Sequence, residues 1–300
     1  MLSMVEQLFV TRPRFKFFQG SSIPMSSAPS VVLICHDGDA IDLDGLTAWL
    51  ASSMRLVGVV VIAPSWRRTW RAIQRQIRRG GVRDFVDVLA LRAYYRCAVA
   101  AKDDQWRADE IRRLRSTYPA PTGDVPRVRV ADPNGQEARD FLTRLRPDVV
   151  IARCKVLLTP ETFGIARIGT FALHPGICPE YRNAHGCFWA LTRRDHGRVG
   201  MTLLRIDRGV DTGPIFLRAT CDYDELRDSH LVIQYRAVTA NLDAIADTLT
   251  RLARGDAAPL VDDGPRTSAV WGQPTLSAYR RWKAAARRDR NHAAHLPAVS

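Results

Sequence analysis

The stretch that decides the fold spans residues 31–62, and its first nine residues read V-V-L-I-C-H-D-G-D. The unbroken apolar run predicts a strand buried on both faces, and H-D-G-D predicts the turn that follows it. Residues 41–53 have a helical pattern, and L-V-G-V-V-V-I at residues 56–62 predicts a second buried strand. A strand, a helix and a strand in this order predict two parallel strands joined by a right-handed crossover.

Later segments continue the alternation of strands and helices. Residues 128–131 predict a short strand, residues 135–145 a helix, and D-V-V-I-A at residues 148–152 another buried strand. Residues 214–218 predict a further strand, and an apolar stripe over residues 231–252 predicts one helix that ends at Gly255. This order predicts the α/β class, with a Rossmann-like, mainly parallel sheet flanked by helices. The first turn lacks G-x-G-x-x-G, which disfavours a dinucleotide-binding site.

The composition is that of a globular chain, because 46% of the 300 residues are apolar and 25% are charged. No segment approaches the run of about eighteen apolar residues needed for a membrane span, and the first residues lack the apolar core of a signal peptide. The six cysteines form no C-x-x-C pair, which favours reduced and mostly buried thiols. We therefore expect a cytoplasmic protein with no membrane partner.

Positive charge is concentrated in two segments of a chain whose formal net charge is +13. Residues 66–96 contain nine arginines and two aspartates, a local charge of +7, and residues 280–290 have a local charge of +5. Such segments bind RNA, anionic membranes or phosphorylated ligands in some proteins, and are solvated helical faces in others. Solvated faces are favoured because few aromatic residues alternate with the arginines, so we do not expect a nucleic-acid partner. The oligomeric state stays open.

His174 and Asp211 are the strongest candidates for chemistry. An apolar strand at residues 170–173 ends at His174, and Pro175-Gly176 then breaks the chain direction, which predicts that the imidazole faces a cleft. Asp211 lies in a second loop with a glycine two residues away on each side. A carboxylate beside an imidazole raises its pKa, which suits a group that transfers a proton near neutral pH.

Other sites are less favoured by the residue pattern. The spacing of the histidines and cysteines between residues 174 and 196 matches no structural zinc site, so we expect no metal. A Ser-His-Asp hydrolase would need a G-x-S-x-G turn, and the chain has none. Cys178 is closer to a buried loop residue than to a nucleophile. Arg182 either clamps an anionic group of a substrate or holds its own loop to backbone carbonyls.

Two segments together resemble the folate-dependent formyltransferases, which include glycinamide ribonucleotide, methionyl-tRNA and sugar N-formyltransferases. The first is H-P-G-I-C-P-E-Y-R-N at residues 174–183, and the second is D-R-G-V-D-T-G-P-I at residues 207–215. The resemblance implies the formyltransferase fold with a short C-terminal extension. It also implies transfer of a formyl group from 10-formyltetrahydrofolate, a co-substrate, to an amine on a small-molecule acceptor.

The resemblance further assigns roles to residues of this chain. His174 and Asp211 would be catalytic, His174 stabilising the oxyanion in its charged form and Asp211 holding that charge. Three apolar residues after the buried strand and two residues of the second loop would bind the folate, namely Val156, Leu157, Leu158, Asp207 and Gly209. Tyr181 and Arg182 would contact the acceptor. Too little chain follows for the C-terminal barrel of methionyl-tRNA formyltransferases, which counts against a tRNA substrate.

One position departs from the family pattern. Members carry an asparagine two residues before the histidine, where it donates a hydrogen bond to the developing oxyanion, and this chain has Ala172. Loss of one such donor costs on the order of 10²- to 10³-fold in rate. Two alternatives therefore stay open beside formyl transfer: a non-catalytic relative that binds folate or another ligand, and a 10-formyltetrahydrofolate hydrolase.

Three regions are expected along the chain. Residues 1–29 end in a Ser/Pro-rich stretch and are expected to be a loose extension. Residues 30–255 are the predicted formyltransferase-like catalytic domain, with a basic helical insertion near residues 66–114. Residues 256–300 are the short basic C-terminal extension.

Overall fold

The computed structural model describes residues 28–119, 123–262 and 264–295. The strands in these ranges are β1 (Ser30–His36), β2 (Arg55–Ile62), β3 (Arg127–Val130), β4 (Val149–Arg153), β5 (Gly169–His174), β6 (Arg182–Asn183), β7 (Gly200–Arg205), β8 (Ile215–Thr220) and β9 (Val270–Trp271). The helices are α1 (Thr47–Ser53), α2 (Trp66–Ala98), α3 (Ala100–Thr117), α4 (Gln136–Leu145), α5 (Pro160–Phe163), α6 (Gly186–Thr192), α7 (His230–Thr239), α8 (Leu242–Arg254) and α9 (Leu276–His295). A π-helical turn (Ile41–Leu46) precedes α1, and a 3-10 turn (His196–Arg198) follows α6.

Seven strands form one sheet in the order β3-β2-β1-β4-β5-β7-β8. The first five run parallel, β7 is antiparallel to β5, and β8 is antiparallel to β7. The predicted mainly parallel α/β sheet is therefore confirmed, and so is the parallel pairing of the first two strands. The carboxyl ends of β1, β2, β4 and β5 lie at one edge of the sheet, the edge at which open α/β sheets bind ligands.

Both faces of the sheet are covered, which explains the unbroken apolar runs of the central strands. Leu33 belongs to one core cluster together with Trp49 of α1 and Trp282 of α9. Its neighbour Ile34 belongs to the cluster on the opposite face, together with Phe141 of α4. Successive side chains of a strand point to opposite faces, so each central strand contributes to both clusters.

The prediction of one helix over residues 231–252 is wrong, since the structure has two helices there, α7 and α8. The chain breaks at Asn241, whose backbone N–H donates to the carbonyl of Val238 at 3.0 Å. Val238 and Ile245, on either side of the break, belong to the same core cluster. The apolar spacing therefore continues across the break and gives no sign of it in the sequence. The predicted end at Gly255 is confirmed, with a φ of 79°.

The basic segment after β2 is helical, and α2 is interrupted at Gly81, whose φ is 75°. Beyond this kink α2 packs on α3 and α9, where Tyr95 donates to Asp103 at 2.8 Å and Asp87 accepts from the Ser277 hydroxyl at 2.6 Å. Before the kink, every described side chain of residues 66–80 is exposed or half-exposed. The second half of α2 therefore packs on the body of the protein, whereas the first half keeps its described side chains exposed or half-exposed.

The C-terminal segment packs on the domain. Trp282 of α9 is 1% exposed, and its indole N–H donates to Glu225 at 2.7 Å. The expected N-terminal extension lies outside the described residues as far as residue 27. Of the helices that the structure describes, none has the length and apolar character required to cross a membrane.

Candidate active site

His174 is the last residue of β5, at the ligand-binding edge of the sheet. Its ring is 6% exposed, which is more enclosed than a ring that faces an open cleft. Nε2 lies 2.7 Å from the backbone carbonyl oxygen of Tyr181, and Nδ1 lies 3.5 Å from Oδ2 of Asp211. Both ring nitrogens thus face oxygen atoms that only accept hydrogen bonds.

This environment favours the charged form of His174. Burial of the ring opposes the charge, whereas the Asp211 carboxylate, the Cys178 side chain and the Tyr181 carbonyl favour it. Together they raise the pKa of His174 to about 9. At neutral pH the ring is therefore an imidazolium that can donate from both nitrogens.

Asp211 is held in place by the other motif segment. Its backbone has a φ of 50°, and its carboxylate accepts the backbone N–H of Asn183 at 2.7 Å. Asp207 shapes the same loop by accepting the N–H of Gly209 at 2.8 Å and the hydroxyl of Thr212 at 2.7 Å. The two segments that the sequence places about thirty residues apart therefore share one hydrogen-bonded site.

The segment after His174 folds back on itself through two glycines. A Cβ on Gly176 would lie 2.7 Å from Nε2 of His174, and a Cβ on Gly186 would lie 2.6 Å from the Cα of Gly176. Thr202 of β7 stabilises the turn, donating to the Gly176 carbonyl at 2.7 Å and accepting the N–H of Cys178 at 3.0 Å. Cys178 is fully buried in this turn, in agreement with its interpretation as a loop residue.

Tyr181 and Arg182 have structural contacts of their own. Tyr181 is 3% exposed, its hydroxyl donates to Asp195 at 2.8 Å, and its ring stacks on Trp271 with centroids 5.8 Å apart. Arg182 is half-buried, and its Nη1 lies 3.5 Å from the carbonyl oxygen of Val210 in the second loop. The guanidinium therefore lies between the two motif segments.

A short parallel pair of strands, β6 and β9, closes over the site, and the sequence did not reveal it. Asn183 adopts a φ of 73° and donates its side-chain N–H to the carbonyl of Trp271 at 2.5 Å. The Trp271 indole N–H in turn donates to the carbonyl of Glu180 at 2.8 Å. The contacts of Asn183 thus position Asp211 and hold β9.

The apolar segment at residues 156–158 follows β4, the strand next to β5. Leu157 is 64% exposed and Leu158 is 7% exposed, while Val156 is half-buried. Asn134 fixes the backbone on both sides, donating to the Leu157 carbonyl at 2.9 Å and accepting the N–H of Thr159 at 2.8 Å. An exposed leucine on a fixed backbone forms a small apolar surface at the edge of the sheet that carries His174.

A buried ion pair beneath the site was also missed in the sequence. Arg153 donates to Asp42 at 3.1 Å and to the carbonyl of Leu173 at 2.8 Å, directly before His174. Burial raises the pKa of the Asp42 carboxyl, and the neighbouring guanidinium of Arg153 opposes that shift. An arginine at the end of an apolar strand was the only sequence signal for this support of β5.

Ala172 lies in the middle of β5, paired with Ala152 of β4 and Leu204 of β7. Its side chain is half-buried and has no hydrogen-bond donor. Within residues 28–119, 123–262 and 264–295, no three metal-ligating side chains come together. His174 and Asp211 are the titratable pair that the two motif segments bring together.

Comparisons with known proteins match the part of the chain that contains this site. The family model described as formyl transferase matches residues 94–249, which include both motif segments. A methionyl-tRNA formyltransferase from Chlorobium chlorochromatii is 28% identical over 168 residues, 52% of each chain. One from Chlorobium limicola is 32% identical over 117 residues, 36% of each chain. The chain thus spans about half, or less, of the length of these curated relatives.

Solved structures of similar shape include a phosphoribosylglycinamide formyltransferase from Anaplasma phagocytophilum. It is 14% identical, with a TM-score of 0.48 over 83% of this chain and 97% of that one. The family match, by contrast, covers more than half of the present sequence and contains the residues of the site. The chain belongs to the formyl transferase family.

Proposed function

We propose that this protein transfers a formyl group from 10-formyltetrahydrofolate to an amino group of a small-molecule acceptor. The observation that carries the proposal is the His174–Asp211 pair, in which two loops bring a charged imidazole and a carboxylate to the ligand-binding edge of the sheet. Membership of the formyl transferase family supports the general reaction. The donor and the class of acceptor are our inference from the site.

The proposed chemistry needs two proton transfers while one bond forms and another breaks. The acceptor nitrogen bonds to the formyl carbon, and the bond between that carbon and N10 of the folate then breaks. Asp211, 17% exposed, accepts the proton that the acceptor nitrogen loses. His174 donates to the oxyanion of the intermediate and protonates the leaving nitrogen, and transfer of the proton from Asp211 to His174 then restores both groups. Its Nδ1 lies 3.5 Å from Oδ2 of Asp211, a long contact that a substrate oxygen can replace.

We assign the donor side of the site to Val156, Leu157 and Leu158 together with Asp207 and Gly209. The exposed Leu157 side chain suits a flat aromatic ring, since a large apolar group left in water gains free energy when it is covered. The fixed backbone around it limits the entropy lost on binding. This fit supports a folate ring on the β4 side of His174.

On the acceptor side we assign Tyr181 and Arg182. The contact between Arg182 and Val210 is long at 3.5 Å, so the guanidinium can exchange it for a stronger bond to an anionic group of the acceptor. Tyr181 acts through its buried ring, which holds the loop that carries Arg182. We also propose a cytoplasmic location, because free thiols such as Cys178 and Cys187 are typical of reducing compartments.

Ala172 is the observation that favours a second candidate. Without the family amide, a site that still binds folate would act as a ligand-binding protein, or would release the formyl group to water. In the proposed transferase, the charged His174 carries the part of the oxyanion stabilisation that the amide supplies elsewhere. We expect such an enzyme to be slow, since one missing donor costs about 3–4 kcal/mol of transition-state stabilisation.

The test is to incubate the protein with 10-formyltetrahydrofolate and to follow tetrahydrofolate release with and without a panel of amines. We expect release that depends on an amine and is lost in His174→Gln, while His196→Gln, a change at an exposed histidine, keeps it. Release that is equal without amine would identify a hydrolase. No release by wild type, with folate still bound, would overturn the transferase in favour of a binding protein.

A further inference from the structure

The first half of α2 exposes an apolar stripe that the fold does not use. Trp66 is 75% exposed and Trp70 is 56% exposed, and Ile73 and Ile77 continue the same helical face in a half-exposed state. These four residues are spaced by four, three and four positions, so they lie on one line along the helix. We call this row the Trp–Ile stripe, and a shallow groove beside it is lined by Pro64, Ser65 and Thr69.

The opposite face of the same segment is basic. Arg71, Arg75 and Arg79 are exposed there, and no carboxylate within the described parts of the chain pairs with them. At about 100° of rotation per residue, the exposed Arg67 and Arg78 both fall roughly 100° from the stripe in the same direction and therefore flank it on one side. The segment is an amphipathic basic helix whose two faces both lie open to solvent.

Nothing in the part of the chain that the structure describes accounts for this pattern. The first half of α2 is attached at its start by Arg68, whose guanidinium bonds to the carbonyls of Ala63 and Ala131. The kink at Gly81 separates it from the second half, which packs on α3 and α9. Amphipathic helices gain most of their stability by burying the apolar face, so this stripe requires a partner outside the described fold.

We propose that residues 66–80 bind the surface of an anionic membrane. A helix with tryptophan on one face and arginine on the flanks and the other face lies in the headgroup region, with its apolar face toward the acyl chains. Arg67 and Arg78 reach lipid phosphates from one flank, because long basic side chains extend toward charged groups while their stems stay apolar. The cytoplasmic leaflet supplies the negative charge that this helix complements.

The arrangement favours a lipid surface over RNA or a second copy of the chain. Single-stranded RNA is bound by aromatic and basic side chains on a shared surface, whereas here most of the arginines, Arg71, Arg75 and Arg79, lie on the side of the helix opposite the tryptophans. Two copies packed through the stripe would bring two segments of local charge +7 together. Because α2 starts at the carboxyl end of β2, the docked helix is joined to the same edge of the sheet that carries His174.

The experiment is co-flotation of the full-length protein with vesicles of phosphatidylcholine alone and of phosphatidylcholine with phosphatidylserine, roughly 70:30. We expect binding only to the anionic vesicles. A basic residue near such a surface contributes roughly fivefold in affinity. Arg67→Gln with Arg78→Gln should therefore weaken the partition constant by about 25-fold. Trp66→Ala with Trp70→Ala should weaken it at least tenfold.

The matched control is Arg251→Gln with Arg254→Gln, which removes the same charge from exposed positions of α8 and should change the partition constant less than threefold. Circular dichroism verifies that each variant is folded. Equal binding to both vesicle types, or an equal loss in the control, would overturn the proposal. Absence of vesicle binding would also overturn the proposal. In that case, binding of poly(U) through residues 66–80 would identify an RNA site. A dimer in light scattering that the tryptophan changes dissociate would identify an interface between two copies.

Discussion

His174 has two hydrogen-bond acceptors at its ring, and this pairing decides its charge. A neutral imidazole has one N–H, so one of its nitrogens would direct a lone pair at the Tyr181 carbonyl or at Asp211. The charged ring satisfies both contacts, at the cost of burying a cation that Asp211 compensates. The charge of the His174 ring thus depends on the contacts that the two loops supply and not on the residue type alone.

Stability should depend on this charge. The pKa of His174 is raised from 6.5 to about 9 on folding, so its contribution is complete below pH 6.5 and is lost as the pH rises through about 9. We expect the difference in unfolding free energy between wild type and His174→Gln to fall by about 3 kcal/mol from near pH 6 to near pH 10. Urea denaturation at both pH values measures it, and a difference independent of pH would contradict the assigned charge.

Restoring the family amide should accelerate the proposed reaction. Ala172 pairs with Ala152 on β4, and its side chain is half-buried. We expect Ala172→Asn to raise the rate of tetrahydrofolate release by on the order of 10²-fold, because it supplies a donor to the oxyanion. The control is the double variant Ala172→Asn with His174→Gln, which should stay inactive. No change in rate, with folate still bound, would show that another group already fills this role.

Among single residues, His174 and Asp211 were predictable because each stands beside turn-forming residues in a recognisable segment. The residues that hold them in place were not predictable. Asn183 holds Asp211 through its backbone N–H, and backbone contacts leave no trace in residue identity. Arg153 and Asp42 lie 111 positions apart and meet only because β4 and the π-helical turn meet at one edge of the sheet.

Among the elements, the turn after β5 depends on two glycines in contact. A Cβ on Gly186 would lie 2.6 Å from the Cα of Gly176, where only backbone can yield. Gly186→Ala should therefore destabilise the protein by about 1–3 kcal/mol and lower activity, because the turn sets the position of His174. Gly197→Ala is the matched control, since a Cβ there meets nothing within 4 Å. Equal thermal stability of the two variants would contradict this packing.

The β6–β9 pair gives a second test at the level of elements. Asn183 has a φ of 73°, which alanine tolerates poorly and glycine tolerates well. Both Asn183→Ala and Asn183→Gly lose the hydrogen bond to Trp271, so the difference between them isolates the backbone. We expect Ala to be less stable than Gly by about 1 kcal/mol in urea denaturation. Equal stability would mean that the left-handed conformation at residue 183 is not maintained.

Elements with strong periodicity were predictable from the sequence, and elements defined by distant partners were not. The strands near residues 31–35, 56–62 and 148–152 were predicted because they are buried on both faces. The break between α7 and α8 was missed because the apolar spacing continues across it. Two-residue strands such as β9 exist only through their partner, here residues 182–183, and carry no periodicity of their own.

For the whole molecule, the parallel sheet brings three separate segments to one edge. The segment after β4 presents Leu157, β5 ends at His174, and the second loop, after β7, returns Asp211 to the same place. The fold class was predictable from the alternation of strands and helices. The exposure of residues 66–80 was not, because a helical pattern does not reveal whether its apolar face finds a partner.

The fate of the formyl carbon tests the central claim most directly. The donor is supplied with a carbon-13 label in its formyl group, and the products are resolved by mass spectrometry in the presence of an accepted amine. We predict that the label appears in a formamide of the amine with wild type and not with His174→Gln or Asp211→Asn. Label found only in formate, or unchanged in the donor while the protein still binds folate, would contradict the account.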